Sequence, residues 1–296
     1  MKTKEKAVTY MVYSSLFLSL LNFSIKGCIG PLGVSLSTFF RYFAPLVLIA
    51  PYFAFRRQWR HLRPEVSIGL HLLRGFCAVV GQTSLNYYLT RASLVNATML
   101  WATGPIYVPI IIYFLYKQKT PRVTWISIFI SIVGVVLMIK PTHGIFDPFS
   151  IWGILSGVAM AFSQVLWGRN AEKGSITENL LYLYLFASVL AFTAWMLFGA
   201  AAESVSNFSP LIWVSLIGVA LSSLGNQIFR SKAYQIVPSY LLMPILYIAV
   251  LGSGIIDVVF YNEWPDLWKY IGFALVCIGT YIKWRYLKKT SERSFN

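Results

Sequence analysis

Acidic residues are scarce in this 296-residue chain: ten Asp and Glu stand against 25 Lys and Arg, and charged residues make up only 12%. A typical soluble domain carries roughly twice that share, so a soluble globular fold of this length is excluded. Cysteine is rarer still. Cys28, Cys77 and Cys277 share no C-x-x-C spacing, which excludes a disulfide or metal framework and leaves them as small apolar helix residues. His61, His71 and His143 are scattered, and no H-E-x-x-H, G-x-S-x-G or P-loop pattern occurs. Catalysis and direct use of ATP are therefore unsupported, and no metal or other cofactor is expected. Long polar segments are missing too. The connections at 55–66 and 139–150 are the longest and are turn-like, with Pro64 in one and Pro141, Gly144 and Pro148 in the other, so no appended soluble domain is expected. No A-x-A-like site follows the basic Met1–Lys6 opening, and the first apolar run is read as a retained span.

What the chain does hold is apolar length. It is 57% hydrophobic with a mean hydropathy of +0.64. A hydrocarbon core about 30 Å thick needs roughly 20 helical residues. Ten stretches meet that need, at about 8–27, 33–54, 67–89, 93–116, 123–140, 150–169, 178–200, 209–229, 238–261 and 267–284. Of the 25 basic residues, 19 fall at the N-terminus, the C-terminus and every second connection; Lys26, Arg91, Lys140 and Lys269 fall on the other face. The positive-inside rule then places both termini in the cytoplasm. The net charge of +15 is assigned to these loops and to anionic lipid, with no nucleic acid as partner.

The connection at 139–150 lies near the midpoint and leaves five spans on either side. An odd number of spans per half forces the halves into opposite orientations, the inverted-repeat design of many secondary transporters. A constant shift of 145 residues aligns Gln82 with Gln227, Ile110 with Ile255, Tyr116 with Tyr261 and Gly134 with Gly279. It also lays the fourth span on the ninth and the fifth on the tenth. The expected fold is an all-α polytopic membrane protein of ten transmembrane helices in two inverted five-helix repeats, 1–144 and 145–296.

The landmarks Lys26, Gly30-Pro31 and Arg41, then Leu73-Arg74-Gly75, Arg91-Ala92-Ser93 and Gly104-Pro105, resemble the drug/metabolite transporter superfamily in its EamA-like branch. The chain departs from that pattern in two places. Gln118 stands where the first half usually has Glu, and Val250 stands where the second usually has Pro, although Glu263 is present. The resemblance implies a ten-span carrier of a small-molecule substrate in a bacterial inner membrane, monomeric or homodimeric. The Leu73-Arg74-Gly75 opening and the overall layout are similar to the S-adenosylmethionine carriers of this superfamily, which implies that substrate in exchange for S-adenosylhomocysteine. An exporter of amino acids or related metabolites is the rival within transport. A lipid translocase or non-transporting subunit is the rival outside it.

Ionisable groups inside spans are costly and default to function. Arg41, Arg74 and Asp257 are read as the three clear cases, with Arg41 as the expected partner of Asp257. That pair reads either as a structural lock or as a gate, and Lys26 as an interfacial anchor or part of the gate. Arg74, Gln82 and Asn86 form a polar stripe on the third span; Asn96, Thr103 and Tyr107 on the fourth; Ser156, Ser163 and Trp167 on the sixth; Ser222, Asn226 and Arg230 on the eighth, beside Gln227. Stripes on four helices point to a shared polar cavity more than to helix packing alone. The expected substrate residues are Arg74, Gln82, Asn86, Trp101, Tyr107, Trp167, Asn226 and Gln227. Arg74 is assigned the substrate carboxylate, and the deeper aromatics are available to stack on a flat ring. Pro105, Pro109 and Pro244 mark expected kinks, and Gly153-x-x-x-Gly157 marks close helix packing or, less directly, a dimer seam.

The charge asymmetry generates a topology prediction. Reporter fusions should place the 55–66 connection in the cytoplasm and the 140–150 connection outside. A cytoplasmic 140–150 connection would overturn the inverted-repeat reading, because five spans must precede it.

Overall fold

The computed structural model describes residues 2–55, 65–117, 121–139, 148–173, 175–199, 208–237, 242–264 and 266–293. The landmarks Gln118 and Lys140 and the 144/145 boundary between the expected halves lie outside them. Every regular element among the described residues is helical. In chain order these are α1 (Lys2–Phe55), α2 (Ile68–Leu89), α3 (Leu94–Trp101), α4 (Gly104–Tyr116), α5 (Arg122–Ile139), α6 (Ser150–Lys173), α7 (Ile176–Phe198) and α8 (Pro210–Ile236). A short 3-10 turn (Met243–Leu246), α9 (Tyr247–Ile256), a π-turn (Asp257–Tyr261) and α10 (Leu267–Arg293) complete the chain.

Local signals set the ends. Ser93 and Ser175 cap α3 and α7 by accepting the backbone N–H of Asn96 and Glu178, and Pro210 sits in the first turn of α8, where a missing N–H costs nothing. Among the described residues, five stretches are long and apolar enough to cross a membrane: Glu5–Pro51, Leu94–Phe114, Ser150–Gly168, Ile176–Phe198 and Pro210–Ile236. Trp125–Leu137 and Tyr247–Tyr261 are shorter apolar helices. Polarity runs opposite to that of a soluble protein. Phe129, Leu197, Phe198, Leu211 and Val259 are exposed on the outside, whereas Arg74, Asn86, Asn226 and Asp257 are buried. Such an apolar surface suits a hydrocarbon solvent.

The expected turn after Lys26 is a reversal within α1, centred on Gly33 at φ 70°, ψ 175°, a conformation open to glycine. Ser24 sits over Gly218 of α8, and Arg41 donates a hydrogen bond to Ser223, barely more than a turn away on the same helix. Two arms of α1 that meet α8 at almost one level must be folded back on each other. The fourth apolar stretch is also interrupted. It splits into α3 and α4 at Ala102–Thr103, with Pro105 in the first turn of α4. Pro244 lies in the 3-10 turn before α9, whereas Pro109 is accommodated inside α4.

Packing centres on α1, which lies against α8, α7, α2 and α9; α6 lies against α2, α3 and α4; α5 and α10 pair with each other. Gly153 and Gly157 admit Leu100 and Thr103 of the α3–α4 joint at close range, so this glycine pair serves packing within the chain. The α5–α10 seam is reciprocal. Gly134 lies over Gly272, Leu275 and Val276, and Gly279 lies over Ser127 and Ser131.

Asp257 holds one end of the bundle together. Its fully buried carboxylate accepts the backbone N–H of Leu94 and Val95 at the start of α3, and Lys26 Nζ lies 3.4 Å from Oδ1. An anion at a helix N-terminus meets both free donors and the helix dipole. Lys26 also lies 3.8 Å from Glu263 and 3.8 Å from the Tyr261 ring centroid. The expected Arg41–Asp257 pair is not formed. Arg41, on the second arm of α1, donates to Ser223 of α8, whereas Lys26, at a similar depth on the first arm, stands beside Asp257. Glu263 precedes α10, so α10 starts at this end too, and Lys2 and Arg293 lie at the other.

This latch predicts energetic coupling. Asp257→Asn leaves Lys26 without its buried partner and weakens two helix-end hydrogen bonds, a loss of about 3–5 kcal/mol. Lys26→Met should cost less, because the α3 amides still hold Asp257. Thermal unfolding of the single variants and of the double variant in detergent should show the double less destabilised than the sum of the singles by at least ~0.5 kcal/mol. Strictly additive losses would mean that the two groups do not act as a pair.

Candidate functional site

Halfway along the bundle, α1, α2, α3, α6, α7 and α8 enclose a cavity of about 20 Å³, room for roughly one water molecule. Three guanidinium groups line it, from Arg41 on α1, Arg74 on α2 and Arg230 on α8. No carboxylate lies among the lining residues, and none lies within ion-pairing distance of these arginines among the described residues. Their charges are met by dipoles and rings instead. Arg74 Nη1 donates to the carbonyl and side-chain oxygens of Asn179 at 3.3 and 3.4 Å. Arg230 Nε donates to Ser14 Oγ at 3.2 Å. The Trp167 ring lies 4.5 Å from the Arg74 guanidinium and 5.6 Å from that of Arg230, so one indole ring is shared by two cations.

The lining keeps hydrogen-bonding capacity in reserve. Arg41 Nε, Arg74 Nε, Arg230 Nη2, Trp167 Nε1 and Gln227 Oε1 are buried without a partner. Unmet donors in a dry interior are costly, and charged ones most of all. A cavity with several such donors and two indole rings, Trp101 and Trp167, is chemically complementary to a small polar molecule that brings oxygen acceptors and a flat face.

Most of the residues singled out in the sequence meet here. Arg74, Gln82, Trp101, Trp167, Asn226 and Gln227 line the cavity, as does Arg41, which had been assigned to a gate. Asn86 stands one layer back. It accepts a hydrogen bond from Gln82 at 2.8 Å and donates to Thr38 at 3.0 Å, fixing the Gln82 amide. Tyr107 is outside the lining, because the break at Ala102–Thr103 turns α4 out of register with α3 and sets its ring beside Gly157. Lys26 and Asp257 form the end latch.

Sequence reasoning passed over two buried ionisable groups, His71 and Glu178. It gave Arg230 two places, in the stripe of the eighth span and among the loop cations; α8 continues to Ile236, so the stripe is where it belongs. His71 and Glu178 are both buried, with Nε2 3.0 Å from Oε1. Glu178 had the spacing of a capping box with Ser175, yet its carboxylate accepts the Val66 N–H at 3.2 Å as well as facing His71. A larger recess of about 590 Å³ opens at the Gly33 end, lined by Pro31, Leu36, Thr83, Tyr87, Trp152 and Trp195 among others. Among the described residues no group of three His, Cys, Asp or Glu gathers to hold a metal.

Comparison with known proteins sets this geometry in a family. The EamA-like transporter family matches the chain twice, over residues 5–140 and 148–284. An S-adenosylmethionine uptake transporter of Rickettsia prowazekii is 26% identical across 82% of this chain and 80% of its own length. An uncharacterized transporter of Helicobacter pylori is 29% identical across 66% of this chain and 67% of its own. A pseudopaline exporter of Pseudomonas aeruginosa is 20% identical across 93% and 94%. A solved crystal structure superposes with a TM-score of 0.63 over 96% of this chain and 98% of that one at 15% identity, a likeness of fold alone. Apolar helices around a polar interior, and a family match that takes in most of the chain in two successive segments, lead to one conclusion: this multi-pass membrane protein belongs to the EamA-like transporter family.

Proposed function

We propose that the chain is a secondary transporter of a small polar organic metabolite in a bacterial inner membrane. It would work by alternating access between two inverted five-helix halves, 1–144 and 145–296, with both termini cytoplasmic. One observation carries this reading. A shift of 145 residues carries Leu18, Asn22, Gln82 and Leu85 onto Ser163, Trp167, Gln227 and Arg230, and all eight line the cavity. The same shift carries the surroundings of Gly134 onto those of Gly279. It also relates the α1–α8 contact to α6–α2 and the α1–α9 contact to α6–α4. A closed cavity between two halves related in this way is the arrangement that rocking of one half against the other would open to each side in turn.

The substrate brings a carboxylate to Arg74 and a flat group to Trp167. S-adenosylmethionine has both, and the names of several relatives support it; S-adenosylhomocysteine is then the exchange partner. A second reading rests on the lining itself. Three guanidinium groups with no carboxylate favour a metabolite of net negative charge, such as an acidic amino acid, and fit poorly with a sulfonium cation. Direction is open to the same test, since a relative named as an exporter matches almost the whole chain. Gln82, Asn86, Ser163, Asn226 and Arg230 of the polar stripes are buried inside the bundle, which supports a carrier over a lipid translocase.

Proteoliposomes containing the full chain should exchange labelled S-adenosylmethionine for internal S-adenosylhomocysteine, or labelled L-aspartate for internal L-aspartate if the second reading holds. Arg74→Gln should lower that exchange at least tenfold at near-normal protein abundance. Normal exchange by this variant would reduce Arg74 to a structural role.

A further inference from the structure

The polar contact between α2 and α7 has two rungs. In one, Arg74 reaches Asn179. In the other, one turn along α2 and one residue along α7, His71 Nε2 lies 3.0 Å from Glu178 Oε1. Neither His71 nor Glu178 lines the cavity, and both are nearly inaccessible to solvent. We propose that the His71–Glu178 pair is a proton-binding site linked to the substrate site through Arg74, so that a carboxylate-bearing substrate and a proton travel together. The proposal deepens the transporter reading and rests on it.

The chemistry follows from the hydrogen-bond inventory. A carboxylate beside Nε2 favours the tautomer that carries its hydrogen there, which leaves Nδ1 as the basic nitrogen. Nδ1 is buried and has no partner. In that state the pair has a net charge of −1, and a proton arriving at Nδ1 makes it neutral overall while the Nε2–H···carboxylate bond is kept. Other groups around the pair do not supply the missing charge. Tyr182 of α7 stacks on the imidazole at 4.8 Å, and Glu65, before α2, is exposed. Arg41 and Tyr42 of α1, Arg230 and Tyr234 of α8 and Trp167 of α6 gather around Arg74 and the cavity. The nearest described compensating charge is therefore Arg74 itself.

Coupling is the result. In the empty carrier Arg74 offsets the negative pair. A substrate carboxylate that engages Arg74 takes over that positive charge and leaves the pair uncompensated in an apolar interior, where binding a proton restores neutrality. Linkage makes the effect mutual, so the protonated pair favours substrate at Arg74. One carboxylate and one proton enter as an electrically balanced set. Glu178 also holds the Val66 N–H, so the charge of the pair bears on the segment leading into α2, next to the joint that must part when the halves rock.

Two measurements test this, and the first needs no substrate. In nanodiscs holding the full chain with isotope-labelled histidine, the His71 signal, assigned by its loss in His71→Gln, should titrate between about pH 5 and 9. Its midpoint should move in Glu178→Gln. A His71 that stays in one protonation state across that range overturns the proposal. In the second, proteoliposomes take up labelled S-adenosylmethionine and labelled L-aspartate with and without an acid-outside pH gradient. The wild type should accumulate the accepted probe at least fivefold more with the gradient. His71→Gln and Glu178→Gln should keep exchange at equal pH and lose that stimulation. Gradient-driven accumulation by both variants, or none by the wild type, overturns the coupling. Titration of His71 without movement of either probe supports the proton site and counts instead against the transport reading.

Discussion

A guanidinium group does not give up its proton at physiological pH, so Arg41, Arg74 and Arg230 are cations wherever the fold puts them. This fold puts all three inside a shell of apolar helices. Much of the surrounding architecture is the means of tolerating them. Serine hydroxyls at 14 and 223, the Asn179 carbonyl and the Trp167 ring supply the dipoles and the π-face that water would have supplied. The arms of α1, together with α2, α6, α7 and α8, stand around the cluster because each contributes one of these groups. A soluble protein would bring carboxylates to such a cluster; a carrier that must release its cargo gains from leaving the place open.

The helical membrane class was legible because a bilayer imposes few choices. Long runs of apolar residues are a one-dimensional feature that survives without coordinates. The cavity was legible for a related reason: Arg74, Gln82 and Asn86 recur every fourth residue, and helical spacing carries over directly into a shared face. What failed depended on where helices break or how far they extend. Tyr107 kept the spacing of its stripe but lost its direction at Ala102–Thr103. Arg230 fell between the stripe and the loop cations because its span was read to end one residue before it, whereas α8 continues to Ile236. The pairing of Lys26 with Asp257 required knowing that α1 turns back at Gly33, a fact of tertiary geometry. His71 and Glu178 were hidden because a histidine near a span start and a glutamate in a first turn are ordinary surface residues until another helix covers both.

The lining residues related by the shift of 145 residues match in place but not in chemistry. Gln82 is answered by Gln227, yet Asn22 is answered by Trp167 and Leu85 by Arg230. In the proposed alternating-access cycle, a symmetric backbone would let each half adopt the posture of the other. Asymmetry of the side chains serves recognition, because a metabolite with one acidic end and one flat end has no twofold axis of its own. Trp167 and Arg230 come from the second of the proposed halves, and Trp101, Arg41 and Arg74 from the first.

The reversal at Gly33 bears on how the chain reaches its membrane. The two arms of α1 follow each other with a bend and no intervening loop, so an emerging chain can offer them to the insertion machinery as one helical hairpin. Such a hairpin needs no loop between its arms. Its backbone groups are almost all hydrogen-bonded within the arms before any later helix is made, which lowers the barrier to crossing the hydrocarbon. The segment that later bears Arg41 and grips α8 would thus be in place first, waiting for partners synthesised some 180 residues afterwards.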